Sequence, residues 1–101
     1  MTITIDQNAF TLIEARGRFP VRWEEIAKIV AYKRDLITID QLCLTIHLHD
    51  GTSFEVQEDI EGFWAWVDAL EQQLGIGAQW REAVLKPVFA ENKKVIFARE
   101  G

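Results

Sequence analysis

The sequence predicts an α+β fold: a curved antiparallel sheet, one main amphipathic helix packed across it, and a short C-terminal helix and strand. Three observations predict it. Short alternating apolar segments fill residues 1–57. The stretch 42–56 has the pleat of a hairpin around an Asp-Gly turn. A stripe at Ile60, Phe63, Val67, Leu70 and Leu74 then follows helical spacing.

Ile3 and Ile5, then Phe10, Leu12 and Glu14, give short strand candidates. "ARGRFP" breaks the alternation with Gly17 and Pro20 and reads as a loop. "VRWEEI" sets Trp23 and Ile26 three apart, which suits one helical turn or a bent lead into a strand. "AKIVAYK" alternates, with Ile29 and Ala31 on one face and Val30 and Tyr32 on the other. Lys33-Arg34-Asp35 reads as a turn, "LITI" as a short strand, and Asp40-Gln41 as a second turn.

The hairpin has two possible registers. "LCLTIHL" places Leu42, Leu44, Ile46 and Leu48 on one face, with Cys43, Thr45 and His47 opposite. A two-residue Asp50-Gly51 turn would set apolar against polar along the ladder. A three-residue loop, His49-Asp50-Gly51, pairs Leu48 with Thr52, Ile46 with Phe54 and Leu44 with Val56, which the pleat favours. Gly51 then takes the left-handed position of a bulge turn.

His47 and His49 are the weak metal candidates. In the favoured register His47 points to the polar face and His49 sits in the turn, and no cysteine or carboxylate completes a zinc spacing. Solvated histidines at a hairpin tip are the expectation. Cys43 and His47 share a strand face but lie about 13 Å apart, too far for a thiolate–imidazole pair.

"EDIEGFWAWVDALEQQLGIG" is the clearest element. Asp59 is the expected N-cap, and Glu61 favours the positive end of the helix dipole. Gly75 is a stop signal, with Ile76 folding back on the last turn. Trp64 and Trp66 flank the stripe and are expected to pack on the sheet; the alternative leaves one as an exposed contact residue. Trp80 and Val84 mark a short second helix that Pro87 ends or bends. "AEN" turns the chain. "KKVIFAR" is a last strand, with Val95 and Phe97 on one face and Ile96 and Ala98 on the other.

Composition narrows the function classes. The 101 residues fit a single domain, 1–101, and 49% hydrophobic content with four tryptophans supplies a core. Cys43 is the only cysteine, so no internal disulfide forms and a reducing compartment is expected. The N-terminus lacks the pattern of a signal peptide, and no apolar run of about 18 residues spans a membrane. A soluble cytoplasmic protein is the reading.

Net charge of −5 argues against a nucleic-acid partner. The charge is −2 over residues 1–57, −5 over 58–75 and +2 over 76–101. Glu58, Asp59, Glu61, Asp68 and Glu71 have no cation among them in the middle segment, and like charges one turn apart repel. Such a face can steer a basic partner. Glu58, Glu61, Trp64, Asp68 and Glu71 are therefore the candidate binding residues.

Signals for catalysis are few. The six glycines are scattered, so no phosphate loop exists. Ser53, the one serine, lies near His49 and Asp50, but a tight hairpin gives a triad no pocket and no support. No enzyme activity and no cofactor are expected. The basic clusters "YKRD" and "KPVFAENKK" read as solvated turns.

The order of elements resembles the small bacterial pleckstrin-homology-like domains, whose pattern places a tryptophan and an isoleucine three apart before a strand, here Trp23 and Ile26. More narrowly, "WEEIAKIVAYKRDLITIDQLCL", the hairpin, "GFWAWVDALEQQL" and the group Trp80, Pro87, Phe89, Ala90, Asn92, Ile96 and Arg99 are similar to an uncharacterised bacterial family of such proteins. The likeness covers residues 20–99. It departs after Gly75, where such folds generally end and this chain continues for about 26 residues. The resemblance implies a binding or scaffold role rather than catalysis.

The leading expectation is a non-enzymatic protein-interaction module. One alternative is an immunity-type inhibitor binding a basic toxin through the acidic helix 58–75. Another is a structural homodimer, held by sheet edges such as 94–99 or by Trp64 or Trp66. An enzyme or metal protein centred on His47 and His49 is the remaining rival.

Overall fold

The computed structural model describes residues 1–35, 40–85 and 92–99. The expected "LITI" strand, the Pro87 stop and most of the "AEN" turn lie outside the described residues. The elements are β1 (Thr2–Ile5), β2 (Ala9–Glu14), β3 (Gly17–Arg22), a 3-10 turn (Trp23–Glu25), β4 (Ile26–Asp35), β5 (Asp40–Leu48), β6 (Ser53–Gln57), α1 (Phe63–Leu74), α2 (Gln79–Leu85) and β7 (Asn92–Ala98). The fold is α+β, as predicted, and its antiparallel strands form two sheets, ordered β1-β2-β3 and β6-β5-β4-β7.

The expected loop "ARGRFP" is a correction. Its last four residues open β3, because Phe19 and Val21 pair with Leu12 and Phe10 across the ladder and continue their apolar face. The reversal is confined to Ala15 and Arg16, between the paired Glu14 and Gly17. Pro20 is tolerated because β3 is an edge strand.

Both charged turns are corrected too. Lys33, Arg34 and Asp35 continue β4, paired with Leu42, Gln41 and Asp40 of β5. Lys33 and Arg34 each find a partner within the fold. Lys33 lies on the core face at 1% exposure, and its ammonium donates to the Leu85 carbonyl at the end of α2, 2.8 Å away. Arg34, on the opposite face, reaches Glu55 of β6 at 3.0 Å.

The hairpin takes the three-residue register. Leu48 N–H donates to the Thr52 carbonyl at 2.8 Å, Ile46 faces Phe54, Leu44 faces Val56, and Gly51 has φ 91°. The last strand departs from simple alternation. Phe97 pairs with core-facing Ile29 but Val95 with outward-facing Val30, so a bulge at Ile96 puts Val95 and Phe97 on opposite faces. Beyond β7, Arg99 donates to the carbonyls of Ile26 at 3.1 Å and Trp23 at 3.0 Å, clasping the strand end to the 3-10 turn.

The helix starts later than expected. Asp59 is not its N-cap; Gly62 is, in a left-handed conformation at φ 88°. The preceding residues are already committed. Glu58 bonds Leu42 through both its N–H and its side chain, and Ile3 N–H donates to the Glu61 carbonyl. The chain passes so close to β1 that a Cβ on Gly62 would sit 2.9 Å from the Ile3 carbonyl oxygen. The helix end is as expected: Gly75 is left-handed, and Ile76 N–H returns to the Glu71 carbonyl at 2.9 Å.

One apolar core joins both sheets and both helices. Phe10 is its hub, with ring centroids 5.2 Å from Trp23 and 5.4 Å from Trp66. Trp66 is fully buried, whereas Trp64 is 39% exposed, so the two tryptophans do not share the expected packing. Three-and-four spacing explains the difference: Trp66 falls between Phe63 and Val67–Leu70 on the buried stripe, and Trp64 falls outside it. No helix among the described residues is long and apolar enough to cross a membrane.

Candidate functional site

The acidic segment does not form one helical face. Glu58 and Glu61 precede α1, and Glu58 Oε1 accepts the Leu42 N–H at 2.8 Å. Only Asp68 and Glu71 lie on the helix, and the cation missing from 58–75 comes from α2. The Arg81 guanidinium donates through Nη2 to Asp68 Oδ1 and to Glu71 Oε1, both at 2.7 Å, and through Nε to Glu71 Oε2 at 2.9 Å. Those two carboxylates hold the Arg81 pKa above its ordinary value, Glu71 more than Asp68. Arg81 also lies 5.3 Å from the centre of the Trp64 ring, so the exposed tryptophan carries a cation on its face.

The histidines diverge as the register requires. His47 pairs with Ser53 on the outer sheet face, and His49 sits in the turn, its N–H donating to the Glu25 carbonyl at 3.0 Å. No three metal-ligating side chains come together among the described residues. Asp50 serves the turn: its carboxylate accepts the Thr52 N–H at 2.8 Å, and its bonds to Thr52 hold its pKa below the ordinary value.

The outer face of the larger sheet carries a polar cluster. Tyr32 pairs with Cys43, and Arg34 bridges Tyr32 and Glu55. Burial, then the bond to Glu55, pushes the Tyr32 phenol up to about 12 and the Cys43 thiol up to about 11. The Tyr32 hydrogen bond lowers Glu55. A thiol so raised is not a nucleophile near neutral pH. Arg34 of β4 reaches across β5 to Glu55 of β6.

Among the described residues a groove lies between the two sheets, holding about 450 Å³. β2 and β3 form one wall and the tip of the β5–β6 hairpin forms the other. Its apolar lining includes Leu12, Phe19, Val21, Leu48 and Phe54. Leu12 and Val21 are buried, but Phe19 is 41% exposed. The Arg16 guanidinium lies 5.3 Å from the Phe19 ring centre and pairs with Glu14 at 2.8 Å. Arg18, Glu25 and Asp50 complete a charged rim. Sequence reasoning missed this site, because Gly17 and Pro20 drew residues 15–20 into a loop. The available signal was the two-residue spacing of Phe19 and Val21.

Among the candidate binding residues, Trp64, Asp68 and Glu71 are brought together around Arg81, while Glu58 and Glu61 stand apart from them near β5 and β1. Comparison of the chain with protein-family models, curated proteins and solved structures finds no match.

Proposed function

We propose that this chain is a non-enzymatic protein-interaction module that receives its partner in the groove between the sheets. Phe19 carries the reading. It is a large aromatic on a paired strand, 41% exposed, over an apolar floor inside a charged rim. A concave apolar floor with a polar border is the usual anatomy of a binding site, and a rigid aromatic is a usual anchor. The resemblance to pleckstrin-homology-like domains, which host recognition more than catalysis, supports the same class. The single, buried Cys43 supports a reducing, cytoplasmic setting.

The two alternatives have weaker support. A basic toxin facing 58–75 would meet Asp68 and Glu71 already paired with Arg81. A homodimer through β7 would use Val95, 49% exposed, but would bring Lys93 and Lys94 of two copies together, and edge lysines oppose such pairing.

The test is selection of peptides from a random displayed library, run in parallel on the wild-type chain and on Phe19→Arg, with circular dichroism confirming both are folded. Ligands retained by the wild type and lost by the variant are expected. Equal retention by both, or no enrichment on either, overturns the reading.

A further inference from the structure

The groove is electrically polar along its length. Arg16 belongs to the turn before β3, Arg18 is the second residue of that strand, and Glu25 follows its far end. Asp50 stands at that same far end, because His49 N–H bonds the Glu25 carbonyl. The near end carries net positive charge even with Glu14 paired to Arg16, since Arg18 makes no ion pair among the described residues. The far end carries two carboxylates, each fixed by a backbone N–H: Glu25 by that of Arg22 at 2.9 Å, Asp50 by that of Thr52 at 2.8 Å. Fixed groups lose little freedom when they meet a ligand, which favours binding.

From this we infer that the groove's occupant is a short extended segment of a partner protein, with an apolar anchor over Phe19, an acidic side chain toward Arg16 and Arg18, and a basic side chain toward Glu25 and Asp50. The inference rests on the proposed function and adds the ligand's charge order. β3 has six residues, so its ends lie about 17–20 Å apart. An extended ligand therefore carries its acid and base about four or five positions apart, with the anchor between them. Recognition is led by side chains, because Pro20 has no N–H to offer along the β3 edge and interrupts strand addition.

Three capped seven-residue peptides test it, each with a central tryptophan in a Gly/Ser background. One has Asp second and Lys sixth, one has the reverse, and one has Asn and Gln there instead. Binding is read by fluorescence anisotropy at low salt on the wild type, on Arg18→Glu and on the milder Arg18→Ser. One charged order is expected to bind roughly five- to tenfold tighter than the neutral peptide, the scale of two exposed ion pairs. Arg18→Ser should remove most of that margin, and Arg18→Glu should remove all of it. Equal binding of the three peptides overturns the charge order and leaves the groove as an apolar site. A margin unchanged in both Arg18 variants also overturns it. Binding of none overturns the proposed function itself.

Discussion

Trp80 and Glu71 meet at 2.8 Å, the indole Nε1–H of α2 donating to the carboxylate of α1. The same carboxylate takes two further bonds from Arg81, so one acid side chain joins two consecutive helices. The cation that balances α1 comes from a residue beyond its glycine stop, and pairing is read across the fold rather than along the helix.

Glu71→Ala leaves the Trp80 indole and the Arg81 guanidinium without their main acceptor. A loss of about 2–4 kcal/mol is expected, since breaking a mostly buried network strands its partners. Asp68 is 70% exposed in its side chain, and Asp68→Ala should cost less than about 1 kcal/mol. Urea denaturation of the two variants checks the contrast; equal losses would contradict it.

Gly62 and Gly75 are both left-handed, but only Gly62 has a backbone oxygen where a Cβ would go. Gly75→Ala should cost about 1 kcal/mol, the conformational term alone. Gly62→Ala should cost more, about 2–3 kcal/mol, because β1 must also move. Thermal melts of the pair give the comparison.

Stability should fall at alkaline pH. Cys43 rises from 9.0 to about 11 and Tyr32 from 10.0 to about 12. Both groups hold their protons more tightly when folded. Their contribution is therefore fully present below pH 9 and is lost as pH rises through 9–12. Cys43→Ala should begin its decline later, with only Tyr32 remaining. Melting temperature against pH for wild type and variant measures the offset.

Acrylamide should quench one tryptophan component strongly. Trp23, Trp66 and Trp80 are buried and Trp64 is not. Trp64→Phe should remove the accessible component and leave the other three shielded. A quenching curve unchanged by that substitution would contradict the placement.

The parts of the fold legible in the sequence were those set by local periodicity. The stripe from Phe63 to Leu74, the Gly75 end and the His49-Asp50-Gly51 register follow from the pleat and the helical turn. What stayed hidden was settled by distant partners. Lys33 reads as a turn residue until the Leu85 carbonyl, 52 positions away, receives its ammonium. Asp59 reads as a cap until Glu58 and Glu61 are seen to bond β5 and β1. The groove was hidden for the same reason: Phe19 and Phe54 line one space only after two sheets have packed.

The clasp at Arg99 bears on the order of events during synthesis. β4 is made early, but its second neighbour, β7, is completed only at Ala98, and the side-chain bonds from Arg99 to Ile26 and Trp23 come later still. Until then the ribosome carries a nascent chain whose central strand has one unsatisfied flank. That interval is when intermolecular strand capture is most accessible. A stalled or prematurely terminated product lacking 92–99 would keep that flank open for good, and is expected to be a substrate for chaperones and proteases rather than a smaller working domain.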